Sequence, residues 1–287
     1  MSPPTPQDWL ALDQEVRDAA YDNGKATEGR EVLVAARDEA ARRWRATHPA
    51  MLDLPYGDRP RQRWDFFPAA DPGAPCLVFI HGGYWQYNGR ENFSHLTEGL
   101  AAHGWSVAMP GYTLAPDATL SGIVAEIHRA LDWLARQGPG LGVAGPVLLS
   151  GWSAGAHLAA TCLDHPLAVA GLAISGIYDL SPLRQTYVNA MLHLSDEEVE
   201  RLSPLRQPAC CKRLAVVYGS RELPEMRRQS RDFHAARAEA HRPGALIPIA
   251  GADHFRILDS LQSPHGEVVQ AARTLLEQDL SEPPGDL

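Results

Sequence analysis

From about residue 76 to residue 277, short apolar runs alternate with longer stretches of helical periodicity. The runs at 76–80, 106–109, 147–149, 172–177, 214–218 and 245–249 are nearly all apolar, as expected of strands buried on both faces of a parallel sheet. Between and after them, residues 91–104, 120–137, 224–241 and 265–277 have the spacing of helices. This alternation predicts an α/β fold, a mostly parallel central sheet with helices on both faces. In such sheets, sites collect beyond the carboxyl ends of the strands. The residues that follow each apolar run therefore hold most of the functional information.

The chain has 287 residues, enough for a substantial core, and one domain over 1–287 is expected. Two helices, over 7–22 and 31–47, precede the main sheet within residues 1–50. The first carries Leu10, Leu12, Val16, Ala19 and Ala20, and the second carries Val32, Leu33, Ala36, Ala40 and Trp44. They could wrap the surface or partly cap a pocket. Residues 63–67 form an aromatic strand, and residues 181–208 interrupt the alternation as a cap-like helical insertion, with a capping box at Ser195 and Glu198. Residues 1–6 and 281–287 are expected to be loose tails.

A net charge of -9 argues against a nucleic-acid partner, which would require a basic face. The four cysteines, Cys76, Cys162, Cys210 and Cys211, contain no C-x-x-C pair, and no His/Cys cluster has zinc-ligand spacing. The N-terminus lacks the basic and apolar regions of a secretion signal. No run reaches the roughly 18 apolar residues of a membrane helix. A cytoplasmic protein acting on a small molecule, without a membrane partner, is expected. A homodimer is the common assembly for such enzymes.

The chemistry centres on Gly151-Trp152-Ser153-Ala154-Gly155, a G-x-S-x-G string between an apolar run and a small-residue helix. A sharp strand-to-helix turn of this kind lifts the serine hydroxyl clear of the sheet, and the flanking glycines remove side chains that would collide with nearby backbone. A serine needs a base, and the base needs an orienting carboxylate. His254 follows the last strand and is the candidate base. Glu222, in the loop after the 214–218 strand, is the candidate acid, with Glu225 and Asp253 as rivals. Asp179 follows the wrong strand. His81-Gly82-Gly83-Tyr84-Trp85 offers backbone N–H groups for a developing oxyanion. The expected donors are Gly83, Tyr84 and Ala154, with Gly82 in reserve. His81 is expected to brace this loop. Trp85, Trp152 and Tyr178 are expected in the substrate pocket, and Tyr84 and Tyr87 could join Trp85 and Trp152 in an aromatic wall.

These motifs, with Ser175-Gly176-Ile177-Tyr178-Asp179-Leu180, Ser203-Pro204 and Leu223-Pro224-Glu225-Met226, resemble the α/β-hydrolase kynurenine formamidases (arylformamidases) and their bacterial relatives. Tyr112-x-Leu114-Ala115-Pro116 is shared more widely, with esterases of the hormone-sensitive-lipase type. The resemblance implies an α/β-hydrolase fold, a Ser153, Glu222, His254 triad, hydrolysis of an N-formyl aromatic amine, and no metal or cofactor. Trp152 stands where relatives often have His, and Glu222 where many carry Asp. The longer glutamate can still orient an imidazole. Small aryl or alkyl esters remain alternative substrates, and a non-catalytic receptor on the same scaffold is the alternative of another class.

Overall fold

A computed structural model describes residues 9–242 and 244–281. The tails expected at 1–6 and after Ser281 lie outside the described residues. Eight strands form one sheet: β1 (Met51–Pro55), β2 (Arg63–Phe67), β3 (Cys76–Ile80), β4 (Ser106–Pro110), β5 (Val147–Trp152), β6 (Ala168–Ile174), β7 (Leu214–Gly219) and β8 (Leu246–Ile249). Their order is β1-β2-β4-β3-β5-β6-β7-β8. The pairings β1–β2 and β2–β4 are antiparallel, and every other pairing is parallel. All residues of β3 and β5 are buried, as their mostly apolar sequences require, and Ser150 in β5 donates its hydroxyl to the Leu172 carbonyl at 2.7 Å.

Alternation of side chains across the pleat divides the core into two layers. Cys76, Val78 and Ile80 face one layer, with Leu120, Ile123 and Ile127 of α3 (Leu120–Gln137) and with α4 (Ala154–Thr161). Leu77 and Phe79 face the other, with Val268, Ala272 and Leu275 of the closing helix (Glu267–Ser281).

Several elements depart from the sequence-based expectation. The first helix, α1, spans only Gln14–Ala19, and Leu10, Leu12 and Val16 are exposed. This segment buries Trp9 and Tyr21 instead. It is held by Arg17, whose guanidinium donates to the carbonyls of Leu12 at 2.8 Å and Gln185 at 3.2 Å. The second helix, α2 (Arg30–Thr47), turns Val32 to solvent and is fastened by charge: Arg45 pairs with Asp65, a fully buried residue of β2. Strand β1 was not legible, because Asp53 at its centre has φ +60° and breaks the register.

Residues 91–104 are not one helix but a 3-10 turn (Arg90–Leu96) followed by Thr97–Ala101. The Asn92 side chain accepts from the Gly89 N–H at 2.8 Å and tightens that turn. Strand β6 starts earlier than expected and stops at Ile174, because Ser175 adopts φ +53° and turns the chain. The capping box is present: Ser195 Oγ accepts from the Glu198 N–H at 3.0 Å at the start of α5 (Asp196–Leu202). The charged helix α6 spans Pro224–Glu239.

Candidate active site

Register sets the site. Ile80 pairs with Gly151, Trp152 with Ile174, and Gly219 with Ile249, so the parallel strands end nearly level. The residues just past those ends, His81, Ser153, Ser175, Glu222 and His254, therefore gather along one edge. Ser153 has φ +58° and ψ -118°, a strained turn between β5 and α4. Helix packing enforces the turn: a Cβ on Gly155 would stand 1.9 Å from the carbonyl oxygen of Ile80.

Ser153, His254 and Glu222 form a hydrogen-bonded chain. Ser153 Oγ lies 3.0 Å from His254 Nε2, and His254 Nδ1 lies 3.1 Å from Glu222 Oε2. All three residues are buried. An ionised carboxylate can only accept, so it draws the imidazole proton to Nδ1 and leaves Nε2 free to accept from the serine. The second oxygen of Glu222 accepts from Ser175 Oγ at 2.6 Å and from the Gly219 N–H at 2.5 Å. The rival acids are engaged elsewhere. Glu225 accepts from the Tyr21 hydroxyl and pairs with Arg228. Asp253 pairs with Arg256, and Asp179 with Arg206.

Trp152 reaches the same group from the other side. Its indole N–H donates to the His254 carbonyl at 2.9 Å, and the two ring centroids are 5.0 Å apart. Neither this bond nor the Ser175 bond was visible in the sequence, since each joins residues about fifty to a hundred positions apart.

The 81–85 loop folds over the serine in the left-handed region: φ is +123° at Gly83, +49° at Tyr84 and +57° at Trp85. Among the described residues, the backbone N–H groups of Gly83, Tyr84 and Ala154 have no protein acceptor. Gly82 allows the close approach, since a Cβ there would lie 2.6 Å from the Trp152 carbonyl and 3.0 Å from Ser153 Cβ. His81 is fully buried, stacked on Tyr112 with 4.3 Å between centroids, and its Nδ1 lies 3.0 Å from the Gly82 carbonyl. Burial pushes its pKa down to about 3, so it stays neutral and supports the loop. The Tyr84 hydroxyl donates to the Tyr21 carbonyl at 2.6 Å and accepts from Asn23 at 3.1 Å. The N-terminal segment is thereby tied to the loop.

A pocket of about 370 Å³ opens above Ser153 and His254. Trp152 lines it, as expected, with Tyr84, Tyr87, Tyr187 and Phe255. Trp85 and Tyr178 do not. The left-handed turn rotates Trp85 into the core, edge-on to His157, and Tyr178 stacks on Phe233 at 4.2 Å in the same core layer. Residues 22–25, 30, 31, 34 and 37 form the opposite wall, so the N-terminal region is a partial cap, not only a wrapper. The 181–208 insertion contributes Tyr187.

A roomier, more apolar groove of about 510 Å³ lies between β8 and the closing helix. Among the described residues that line it there is no serine, cysteine or histidine. Among the described residues, no group of three or more His, Cys, Asp or Glu side chains could hold a metal, and no helix is long and apolar enough to cross a membrane.

Residues 66–163 match the family described as BD-FAE. The chain is 27% identical over 277 residues to the kynurenine formamidase of Danio rerio, covering 88% of this chain and 93% of that protein. It is 29% identical to the kynurenine formamidase of Salmo salar, covering 79% and 82% respectively. A solved structure from Silicibacter sp. TM1040, provisionally described as a thioesterase, superposes with TM-score 0.81 at 29% identity and covers 89% of this chain and 98% of that chain. Esterase B of Lactobacillus rhamnosis shares the fold, with TM-score 0.68 and 20% identity over 90% of this chain and 95% of that chain. Fold and relatives together define an α/β-hydrolase, and the protein is a hydrolytic enzyme. Within that class, the chain is similar over most of its length to kynurenine formamidases and shares its fold with carboxylesterases.

Proposed function

We propose that the protein is a serine hydrolase that cleaves an N-formyl aryl amide such as N-formylkynurenine, through a formyl-enzyme. The observation that carries this reading is the Ser153–His254–Glu222 chain, with contacts of 3.0 and 3.1 Å, beside unengaged backbone donors at the floor of a pocket. Ser153 Oγ bonds to the formyl carbon as His254 Nε2 takes its proton. The N–H groups of Gly83, Tyr84 and Ala154 hold the oxyanion, a contribution of roughly 3–4 kcal/mol per well-placed donor in acyl transfer. His254 returns the proton to the departing amine, and the C–N bond breaks. A water, deprotonated by His254, then attacks the formyl ester. Formate leaves and Ser153 is restored.

Two features support a small acyl group on an aryl amine. The Trp152 ring packs against Gly82 beside Ser153, which narrows that side of the serine. The aromatic walls suit an aryl leaving group. The machinery would also act on an activated aryl ester. Steady-state kinetics on purified protein with N-formylkynurenine and p-nitrophenyl acetate separates the two substrates. A kcat/KM at least tenfold higher for the formamide, with stoichiometric formate and no loss to a chelator, is expected. Preference for the ester would make the protein a carboxylesterase.

A further inference from the structure

Two peptide groups of the loop over Ser153 carry donors that the reaction above uses. One joins Gly82 to Gly83 and ends in the Gly83 N–H; the next joins Gly83 to Tyr84 and ends in the Tyr84 N–H. The loop lies directly on the serine: a Cβ at Gly82 would stand 3.0 Å from Ser153 Cβ. The carbonyls of the two peptides are held differently. That of Gly83 accepts from the backbone N–H groups of Gln86 and Tyr87, both at 2.9 Å, bonds that do not depend on side-chain identity. That of Gly82 is held by two side chains, His81 through Nδ1 at 3.0 Å and Asn88 through Nδ2 at 3.1 Å. A carbonyl only accepts, so both nitrogens donate. The Asn88 amide is fixed in that sense from its other end as well, because Arg37 of α2 donates to its Oδ1 at 3.2 Å and a guanidinium cannot accept. The Asn88 backbone carbonyl accepts from Arg61 at 2.5 Å.

We propose that Asn88 is a positioning residue for the oxyanion donors, acting through the peptide between Gly82 and Gly83 and set in turn by Arg37 of the N-terminal helix. The inference rests on the serine-hydrolase reading above. A peptide between two glycines meets little steric resistance to rotation, and Gly83 already sits at φ +123°. Turned over, that peptide would aim a carbonyl oxygen, not an N–H, at the charge developing on the substrate oxygen. A donor on the Gly82 carbonyl opposes the rotation. It also polarises the peptide, since hydrogen bonds in a chain strengthen one another. The Gly83 N–H is therefore a better donor to the transition state, while the bound substrate, whose carbonyl carries no full charge, gains less. His81 supplies one donor from the adjacent residue, and Asn88 supplies the second from beyond the turn. Arg37 makes this second bond depend on α2: its guanidinium is pinned over the Phe93 ring, 4.7 Å from the centroid, and on Asp38 at 2.8 Å.

The test uses Asn88→Asp, which keeps an acceptor for Arg37 and loses the donor, and Asn88→Gly, which suits the left-handed φ of +67° at this position and loses the whole amide. kcat and KM are measured with p-nitrophenyl acetate, together with the inhibition constant of phenylboronic acid and the melting temperature. Phenylboronic acid bonds through boron to Ser153 Oγ, whose proton passes to His254, and the tetrahedral adduct places a boronate oxygen at the donors. Both variants are expected to lose about tenfold in kcat with KM changed less than about twofold, and to bind phenylboronic acid about tenfold more weakly. Wild-type kcat and boronate affinity in both variants overturns the proposal. So does a lower melting temperature with boronate affinity unchanged, which is the behaviour of a purely structural side chain. A wild type that hydrolyses neither p-nitrophenyl acetate nor N-formylkynurenine and does not react with a fluorophosphonate overturns the serine-hydrolase reading, and the proposal with it.

Discussion

Trp152 occupies the variable position of the serine motif, yet its indole N–H is spent on the carbonyl of His254. That bond ties the His254 backbone to the residue beside Ser153, and the Trp152 ring forms part of the pocket. Trp152→Phe keeps an aromatic ring and removes the bond, leaving a buried carbonyl short of a donor. A loss of about 1 kcal/mol in stability is expected, with a several-fold fall in kcat and a smaller change in KM, read by steady-state kinetics and thermal melting. At this scale the sequence was legible where chemistry dictates residue type and chain order. Ser153, Glu222 and His254 stand out because each follows a strand in the order this sheet requires. Trp85 and Tyr178 misled because an aromatic residue near a strand end can face either way. Which way it faces depends on backbone angles such as φ +57° at Trp85, which residue type does not encode. Arg30, Tyr187 and Phe255 reach the pocket through tertiary placement alone.

Among elements, the N-terminal region is short in regular structure and tied down by polar contacts. Helix α2 is held to the sheet by Arg45 on buried Asp65, while Arg90 Nε lies 3.1 Å from Asp65 and Arg90 also pairs with Asp53. One carboxylate thus neutralises two guanidiniums that are mostly removed from water. Removing it leaves Arg45 and Arg90 only the more exposed Asp53 and Glu91 as partners, and Asp65→Ala is expected to cost about 3 kcal/mol in urea unfolding. If the midpoint stays within error of the wild type, the cap is held by apolar contact and not by this network. The apolar stripe read from residues 7–22 does not form the contact, because the segment docks through buried Trp9 and Tyr21 and through Arg17 on backbone carbonyls. Such contacts leave no periodic signature. The strands, by contrast, were legible because full burial on both faces demands unbroken apolar runs.

For the whole molecule, three buried histidines on separate elements link the fold to pH. Burial lowers the pKa of His81 to about 3 and that of His157 and His95 to about 4, from an ordinary 6.5. Between those values the unfolded chain takes up protons that the folded chain excludes. Stability is therefore complete above about pH 6.5 and falls as pH drops toward 4, by up to about 1.4 kcal/mol per pH unit for each imidazole. Denaturant melts across pH 4 to 7.5 should rise and then level, and a flat profile would mean that these rings are solvated. The functional reading converges on Ser153, and covalent labelling tests it most directly. A fluorophosphonate probe is expected to modify the native protein once, at Ser153 by peptide mapping, with no adduct on a folded Ser153→Ala variant. Labelling that persists in that variant, or an adduct on another residue, would contradict the assignment of the nucleophile.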